Sequence, residues 1–425
     1  APTLQAIDFR GWPAIALANE FVRLVAVPAI GGRIMAYDLG DYPFLFVDPT
    51  LAGKLFSPEE NQGDGSLAAW KNYGGDKSWP APQGWDDDTQ WHGPPDPVLD
   101  TGRYTVEAQS CNEEFASLTL ASPPDARTGI QIVRRFTLGR ATSRVQVELT
   151  FRNISTRTVR WAIWDVMQID ASRPNEAGGT TWDPNCMVTT PLNPHSRFER
   201  GFNVMFGNAD NPQWQTRDGL FRADYLWEIG KVGIDSQAGW IAFSNGSRNL
   251  ALVETFTVDP AAEYPDSGAT VECWTVGAGQ VANLDYSGSG IYLMETEVLS
   301  PFHTIAPGGA AHLNLEWAVC SCSVPIVEVQ PAGCISAPLQ ATWKPDTLHV
   351  TCVCGIFDAG KLIAHWGNGE QTVLGIVSPN APLQFVDQRL RPPSSATSLT
   401  LAVRADRDGV ERHLAHVDAP AILGF

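Results

Sequence analysis

At 425 residues the chain is longer than one hydrophobic core usually serves, so two domains are expected. A formal net charge of −18 excludes nucleic acid and an anionic membrane surface as natural partners, and favours a neutral ligand over a polyanion. Abundant Gly (38), Pro (31) and Trp (15), with only 18% charged residues, points to an all-β chain with many turns. No apolar run is long enough to span a bilayer, and no signal peptide is visible. The start at Ala1 leaves two expectations for a soluble protein: cytoplasmic residence, or export after removal of an upstream segment.

In chain order, residues 14–47 read as a β-meander. The run from Phe21 to Val27 is stopped by Pro28, and Gly31-Gly32 turns the chain into 33–37. The stretch 72–92 then gathers Trp79, Trp85, Trp91, Asp76, Asp86, Asp87, Asp88, Lys77 and His92 around Gly74-Gly75, Pro80 and Pro82. It shows neither strand nor helix periodicity and is read as a long irregular loop. Such a density of aromatic and ionisable groups marks a site more often than a spacer. The plainer alternative is an Ω-loop whose tryptophans plug the end of a β-structure.

Strands are predicted at 103–108, 115–121 and 130–136. Val145 to Phe151 alternates strictly between apolar and polar, so one face should be buried and the other wet. Another strand follows at 158–169, and 170–225 is read as loops decorating one rim. Further strands are predicted at 239–244, 250–257, 270–275, 291–299 and 311–319. From about 325 the texture changes to short strands at 348–354, 361–366, 383–387 and 398–404, the spacing of a small β-sandwich. The expected division is a large domain, 1–324, and an accessory one, 325–425.

Four groups of residues carry chemical potential. Cys320/Cys322 and Cys352/Cys354 are C-x-C pairs, which strands place on one face; zinc frameworks usually space their cysteines C-x2-C. Buried free thiols are favoured, with disulfides in an exported protein as the alternative. No metal or cofactor is expected: H-x-x-x-H is absent, and Asp86-Asp87-Asp88 reads as a solvated turn more readily than a calcium loop. On strand 158–169, Trp164 and Asp165 face opposite ways, and Gln168 is expected to share Trp164's face only where regular pleating breaks down. Glu228 and Lys231 lie three residues apart with opposite charges. Glu295 and Glu297 share one strand face; buried there, one of them would have a raised pKa and suit a general base. An exposed face with both glutamates in water is the competing reading. His92 is either a turn-bonding residue or a general acid.

The segments Asn19 to Leu24 and Pro28 to Ile34 are similar to the opening strands of aldose 1-epimerases. Trp91-His92-Gly93 resembles the His-Gly step of the galactose mutarotase-like superfamily. Asn153-Ile154-Ser155 resembles its next landmark, and Glu295 or Glu297 followed by Pro307-Gly308 resembles its C-terminal Glu and later turn. The string from Asn72 to Gln83 most resembles a bacterial branch of that superfamily. The resemblance covers roughly residues 5–320. It implies a β-supersandwich, a glutamate base (Glu295 or Glu297) at the anomeric hydroxyl, and an acid at the ring oxygen. The strand 158–169 departs from the pattern, offering Trp164, Asp165 and Gln168 where the acid histidine should lie. His92 or Lys77 would then take that role, or the reaction is not mutarotation.

Two functions follow as expectations. The first is an enzyme on a sugar ring, with Arg33, Asn72, Asp76, Lys77 and His92 along one edge of a concave face. Lys231 and the glutamates would lie across from them, and Trp79, Trp164 and Asp165 would contact substrate. Lyase and glycosidase chemistry are variants. The second is a carbohydrate-binding protein without catalysis, since aromatic walls with a few polar groups suit either. In both, the partner is a mono- or oligosaccharide, and the sequence sets no oligomeric state.

Overall fold

Val145–Asn153 realises its alternation: Val145, Val147, Leu149 and Phe151 are buried while Gln146 and Glu148 are exposed. In the computed structural model, which describes residues 1–344 and 346–419, this strand lies inside a ten-stranded antiparallel sheet. In spatial order the sheet comprises Trp214–Arg217, Leu220–Asp224, Cys186–Pro191, Trp240–Asn245, Leu250–Phe256, Ala310–Ser321, Val145–Asn153, Ile130–Gly139, Phe115–Ala121 and Thr105–Cys111. A second large sheet packs against it. Its main path runs Thr3–Phe9, Trp12–Ala18, Val22–Val27, Arg33–Leu39, Asp76–Ala81, Val159–Asp170, Leu293–Leu299, Val271–Thr275, Gly230–Ile234 and Asn203–Gly207.

Apolar side chains from both sheets fill one continuous core, with Trp317 packed between Tyr37 (centroids 6.1 Å apart) and Phe136 (5.7 Å). This is an all-β supersandwich. Among the described residues no helix is long and apolar enough to cross a membrane.

Two sequence expectations are corrected here. The stretch 72–92 is not a loop throughout, because Asp76–Ala81 is a strand near the middle of the second sheet. All six of its residues are buried, so no wet face exists to create an alternation. Pro80 is tolerated because the neighbour Arg33–Leu39 pairs with this strand only at Ile34–Asp76, leaving that side free at Pro80. The segment 170–225 also contributes to both sheets, through Cys186–Pro191, Trp214–Arg217, Leu220–Asp224 and Asn203–Gly207. Strands this short, separated by Pro and Asn, carry too few residues to display a period.

Beyond residue 327 the chain forms two four-stranded sheets. One holds Glu328–Gln330, Gly333–Lys344, Thr347–Ile356 and Leu383–Leu390; the other holds Gln371–Val377, Gly360–Trp366, Ser398–Ala405 and Glu411–Asp418. They close on their own apolar core, including Leu348, Val350, Trp366, Leu401 and Leu414. All eight cysteines are free thiols, and Cys320, Cys322 and Cys334 pack with Phe357 and Trp240 where the small sandwich meets the large one. Cys320 Sγ lies 3.4 Å from Cys334 Sγ.

Candidate functional site

Antiparallel register brings the reactive side chains together. Trp79 pairs with Trp164 and Lys77 with Val166. Gln168 pairs with Glu295 and Val166 with Glu297. Glu295 in turn pairs with Trp274 and Glu297 with Glu272, while Trp274 pairs with Lys231. Residues directly opposite share a sheet face, and so do residues two or four apart on one strand. One face therefore collects Lys77, Trp79, Trp164, Gln168, Lys231, Glu272, Trp274, Glu295 and Glu297. Gln168 reaches Trp164's face through regular pleating, not through its breakdown.

A cavity of about 220 Å³ opens on this face. Trp70, Trp79, Trp164, Trp274 and Tyr286 wall it, and Gln83, Gln168, Lys231 and Glu295 supply its polar groups. That is below the roughly 300–1,000 Å³ of drug-sized sites and suits a single ring. Carboxylates behind the walls fix the indoles. Asp100 accepts from Trp70 Nε1 (2.7 Å) and Trp79 Nε1 (3.0 Å), and Glu297 accepts from Trp164 Nε1 (2.7 Å). Trp79 packs edge-on against Trp164 at 5.2 Å, and Trp91 backs Trp79 at 5.1 Å. With their N–H groups occupied, the rings offer apolar surface to the cavity.

The two glutamates differ sharply. Glu297 is fully buried beneath the wall, with Lys231 Nζ 3.0 Å from its Oε2. Burial pushes its carboxyl up, but Lys231, Glu272 and Trp164 outweigh that and hold it below the ordinary range. Glu295 lines the cavity, accepts from Gln168 Nε2 at 2.7 Å, and lies 3.7 Å from Lys77 Nζ. Burial pushes Glu295 up to about 7 against the opposing pull of Lys77. Burial also pushes Lys77 down to about 8, and its Nζ has no hydrogen-bond partner. Lys231 is the reverse case. Burial works against its charge, yet Glu272 (2.7 Å) and Glu297 raise its pKa, and the ammonium sits 4.5 Å from the Trp164 ring centroid.

Other predicted site residues lie elsewhere. Asp76 and Asp165, expected at the substrate, point to the opposite face because each is one residue from a cavity-side group. Between the sheets Asp76 pairs with Arg134, and Asp165 accepts from Ser78 Oγ (3.0 Å) with Arg134 Nη2 3.7 Å away. Burial, reinforced by Asp165, raises Asp76 well above the carboxylate range. Arg33 is also buried away from the cavity, bound to Asp100 Oδ1 (2.8 Å) and Gly74 O (3.2 Å), so it braces the tryptophan wall. Asn72 is half-buried and does not line the cavity, and neither does His92, which stacks on Trp85 with ring centroids 5.1 Å apart. Lys77 is 1% exposed and does not line the cavity; it stands behind Glu295, which does.

Sequence reading missed Trp70, Gln83, Trp274 and Tyr286 as lining residues, and Asp100 and Glu272 behind them. Asp100 lies beyond the aromatic stretch and Trp274 on an unremarkable strand, so only pairing reveals them. Among the described residues no group of three or more His, Cys, Asp or Glu is arranged to hold a metal ion. Asp87 caps the turn by accepting from Thr89 N (2.8 Å).

Residues 13–176 match the model of a family described as a domain of unknown function, DUF4380. No protein of curated function matches the chain. A solved structure from Klebsiella pneumoniae subsp. pneumoniae, described provisionally as an aldose 1-epimerase, is 9% identical with a TM-score of 0.50, covering 75% of this chain and 83% of that one. A galactose mutarotase-like protein from Clostridium acetobutylicum is 10% identical with a TM-score of 0.46, covering 75% and 99%. Identity this low speaks to fold alone: the chain has the galactose mutarotase-like β-supersandwich.

Proposed function

We propose that the protein binds a sugar ring in the tryptophan-walled cavity and transfers a proton at its anomeric centre, in the manner of an aldose 1-epimerase. The observation that carries this reading is Glu295, a carboxyl at the cavity wall that burial pushes up to about 7. A base of that strength is poised to take a proton near neutrality and return it. The ionised Glu295 removes the anomeric hydroxyl proton while the bond from the anomeric carbon to the ring oxygen breaks. The ring oxygen takes up a proton, the open-chain aldehyde rotates, and reversal of these steps closes the other anomer. Lys231, held charged by two glutamates, supplies fixed positive charge for the developing oxyanion. Lys77, buried 3.7 Å behind Glu295, is the site's proton reservoir, since its pKa near 8 lets it release a proton that Lys231 would keep. The tryptophan faces support the apolar side of the ring.

A glycosidase has less support, because Glu295 is the one carboxyl lining the cavity among the described residues and that chemistry generally uses two. Sugar binding without catalysis is the second reading, favoured by the absence of a histidine among the lining residues. NMR exchange measurements on a panel of free aldoses decide between them. Anomer interconversion accelerated by the wild type and lost in Glu295→Gln supports catalysis, while binding without acceleration leaves the second reading.

A further inference from the structure

The fifteen tryptophans include only one that is exposed, Trp85, at 73%. It stands on a small tab of chain at the cavity rim. Gln83 and Pro94, on either side of the tab, both line the cavity. The tab's neck is closed by Trp91 N donating to Pro82 O (2.9 Å) and Gly84 N donating to Trp91 O (2.8 Å). Within it, Asp86 N donates to Gln90 Oε1 (2.8 Å), so the tip is braced. His92 lies under the indole, with 24° between the ring planes. One face of Trp85 is thus supported and much of the rest meets water. A large apolar surface held open beside a cavity whose volume suits a single ring is an arrangement for contact, not for core packing.

Charge narrows what it contacts. The tab carries Asp86, Asp87 and Asp88 and no lysine or arginine, and the lysine that lines the cavity, Lys231, is already paired with Glu272 and Glu297. A uronic acid or phosphorylated sugar would meet repulsion at the tab, and among the described residues that line the cavity no unpaired cation offsets it. A neutral ring meets no such barrier.

We infer that the ligand extends beyond the cavity: it is a saccharide of at least two neutral rings, one held in the cavity and the next stacked on Trp85. His92 then serves as the support of that platform, not as an acid. The inference rests on the sugar-binding reading above and adds the substrate class to it.

Calorimetric titration of the intact protein tests it, comparing glucose and galactose with cellobiose, maltose and lactose. Wild type should bind at least one disaccharide about fivefold to tenfold more tightly than its component monosaccharides, the range expected for one aromatic contact. In Trp85→Ala that affinity ratio should fall to about one. Monosaccharides bound as tightly as every disaccharide, or an unchanged ratio in Trp85→Ala, would overturn the second subsite while leaving the sugar-binding cavity standing. Binding of no sugar at all would overturn both readings.

Discussion

Glu295 and Glu297 are separated by one residue on one strand face, yet their neighbours drive them apart: Glu295 toward neutrality at the cavity, Glu297 toward permanent charge beneath it. The proposed mechanism therefore predicts different failures. Glu295→Gln should lower the interconversion rate by about 10²- to 10⁴-fold, the usual contribution of a positioned base, with the loss of Tm limited because Lys77, already lowered to about 8, can shed its proton. Glu297→Gln removes one of the two carboxylates facing Lys231, and with it the acceptor of the Trp164 indole, and should lower Tm along with the rate. Rate measurements beside thermal unfolding separate the two, and equal behaviour would refute the assignment.

Glu295 and Lys77 together set the pH response. Below about 7 Glu295 holds its proton and cannot accept another; above about 8 Lys77 loses the proton it must donate. The rate should peak narrowly between these values and fall on both sides, with the limits belonging to the coupled pair. A profile flat from pH 5 to 10 would exclude both residues from the rate-limiting step. At this scale the sequence made the glutamate pair legible, because spacing fixes a shared face. Which one meets the ligand depends on how far along the strand the cavity sits, and only cross-strand register sets that.

The strand Asp76–Ala81 shows why elements differ in legibility. Half-wet strands such as Val145–Asn153 announce themselves by alternation, whereas a strand buried on both faces and ending near prolines looks like a loop. Its entry depends on Gly74 and Gly75, at φ of +99° and +68°. A Cβ on Gly75 would lie 2.3 Å from Ile34 O, a contact no relaxation of side chains relieves. Gly75→Ala should thus cost at least about 1 kcal/mol, lower Tm by a few degrees, and shift the strand that carries Lys77. The Glu295–Lys77 coupling would weaken with it, letting Glu295 rise and Lys77 fall, so the variant's rate maximum should narrow as well as drop. Loss of Tm with an unaltered pH profile would show that the glycine pair serves stability alone. The tryptophan wall follows the same logic: its rings were visible as composition, but the Asp100 clamp on Trp70 and Trp79 arises only once the chain has folded back on itself.

The small sandwich is joined to the large one by an apolar contact around Cys320, Cys334 and Phe357 and by a buried carboxylate, Asp358. Asp358 accepts from Thr142 Oγ1 (2.7 Å) and pairs with Arg144 Nε (3.0 Å) and Arg407 Nε (2.9 Å), so it ties residues of both sandwiches to one point. Buried ion pairs add little net stability when intact, because desolvation offsets their attraction, but removing one partner strands the others without compensation. Asp358→Ala leaves Arg144 with Glu316 and the Pro331 carbonyl, and Arg407 with the more distant Asp408 at 3.8 Å. The variant should lose about 3–5 kcal/mol, and the loss should fall on the junction, since each sandwich keeps its own core. Calorimetry should then resolve two melting transitions where the wild type shows one. The rate should survive below the first of them, because the cavity, Glu295 and Lys77 all belong to the large sandwich. A single transition at the wild-type temperature would mean that the apolar contact alone couples the two bodies. Abolished activity in a folded variant would instead show that the small sandwich bears on the cavity from a distance.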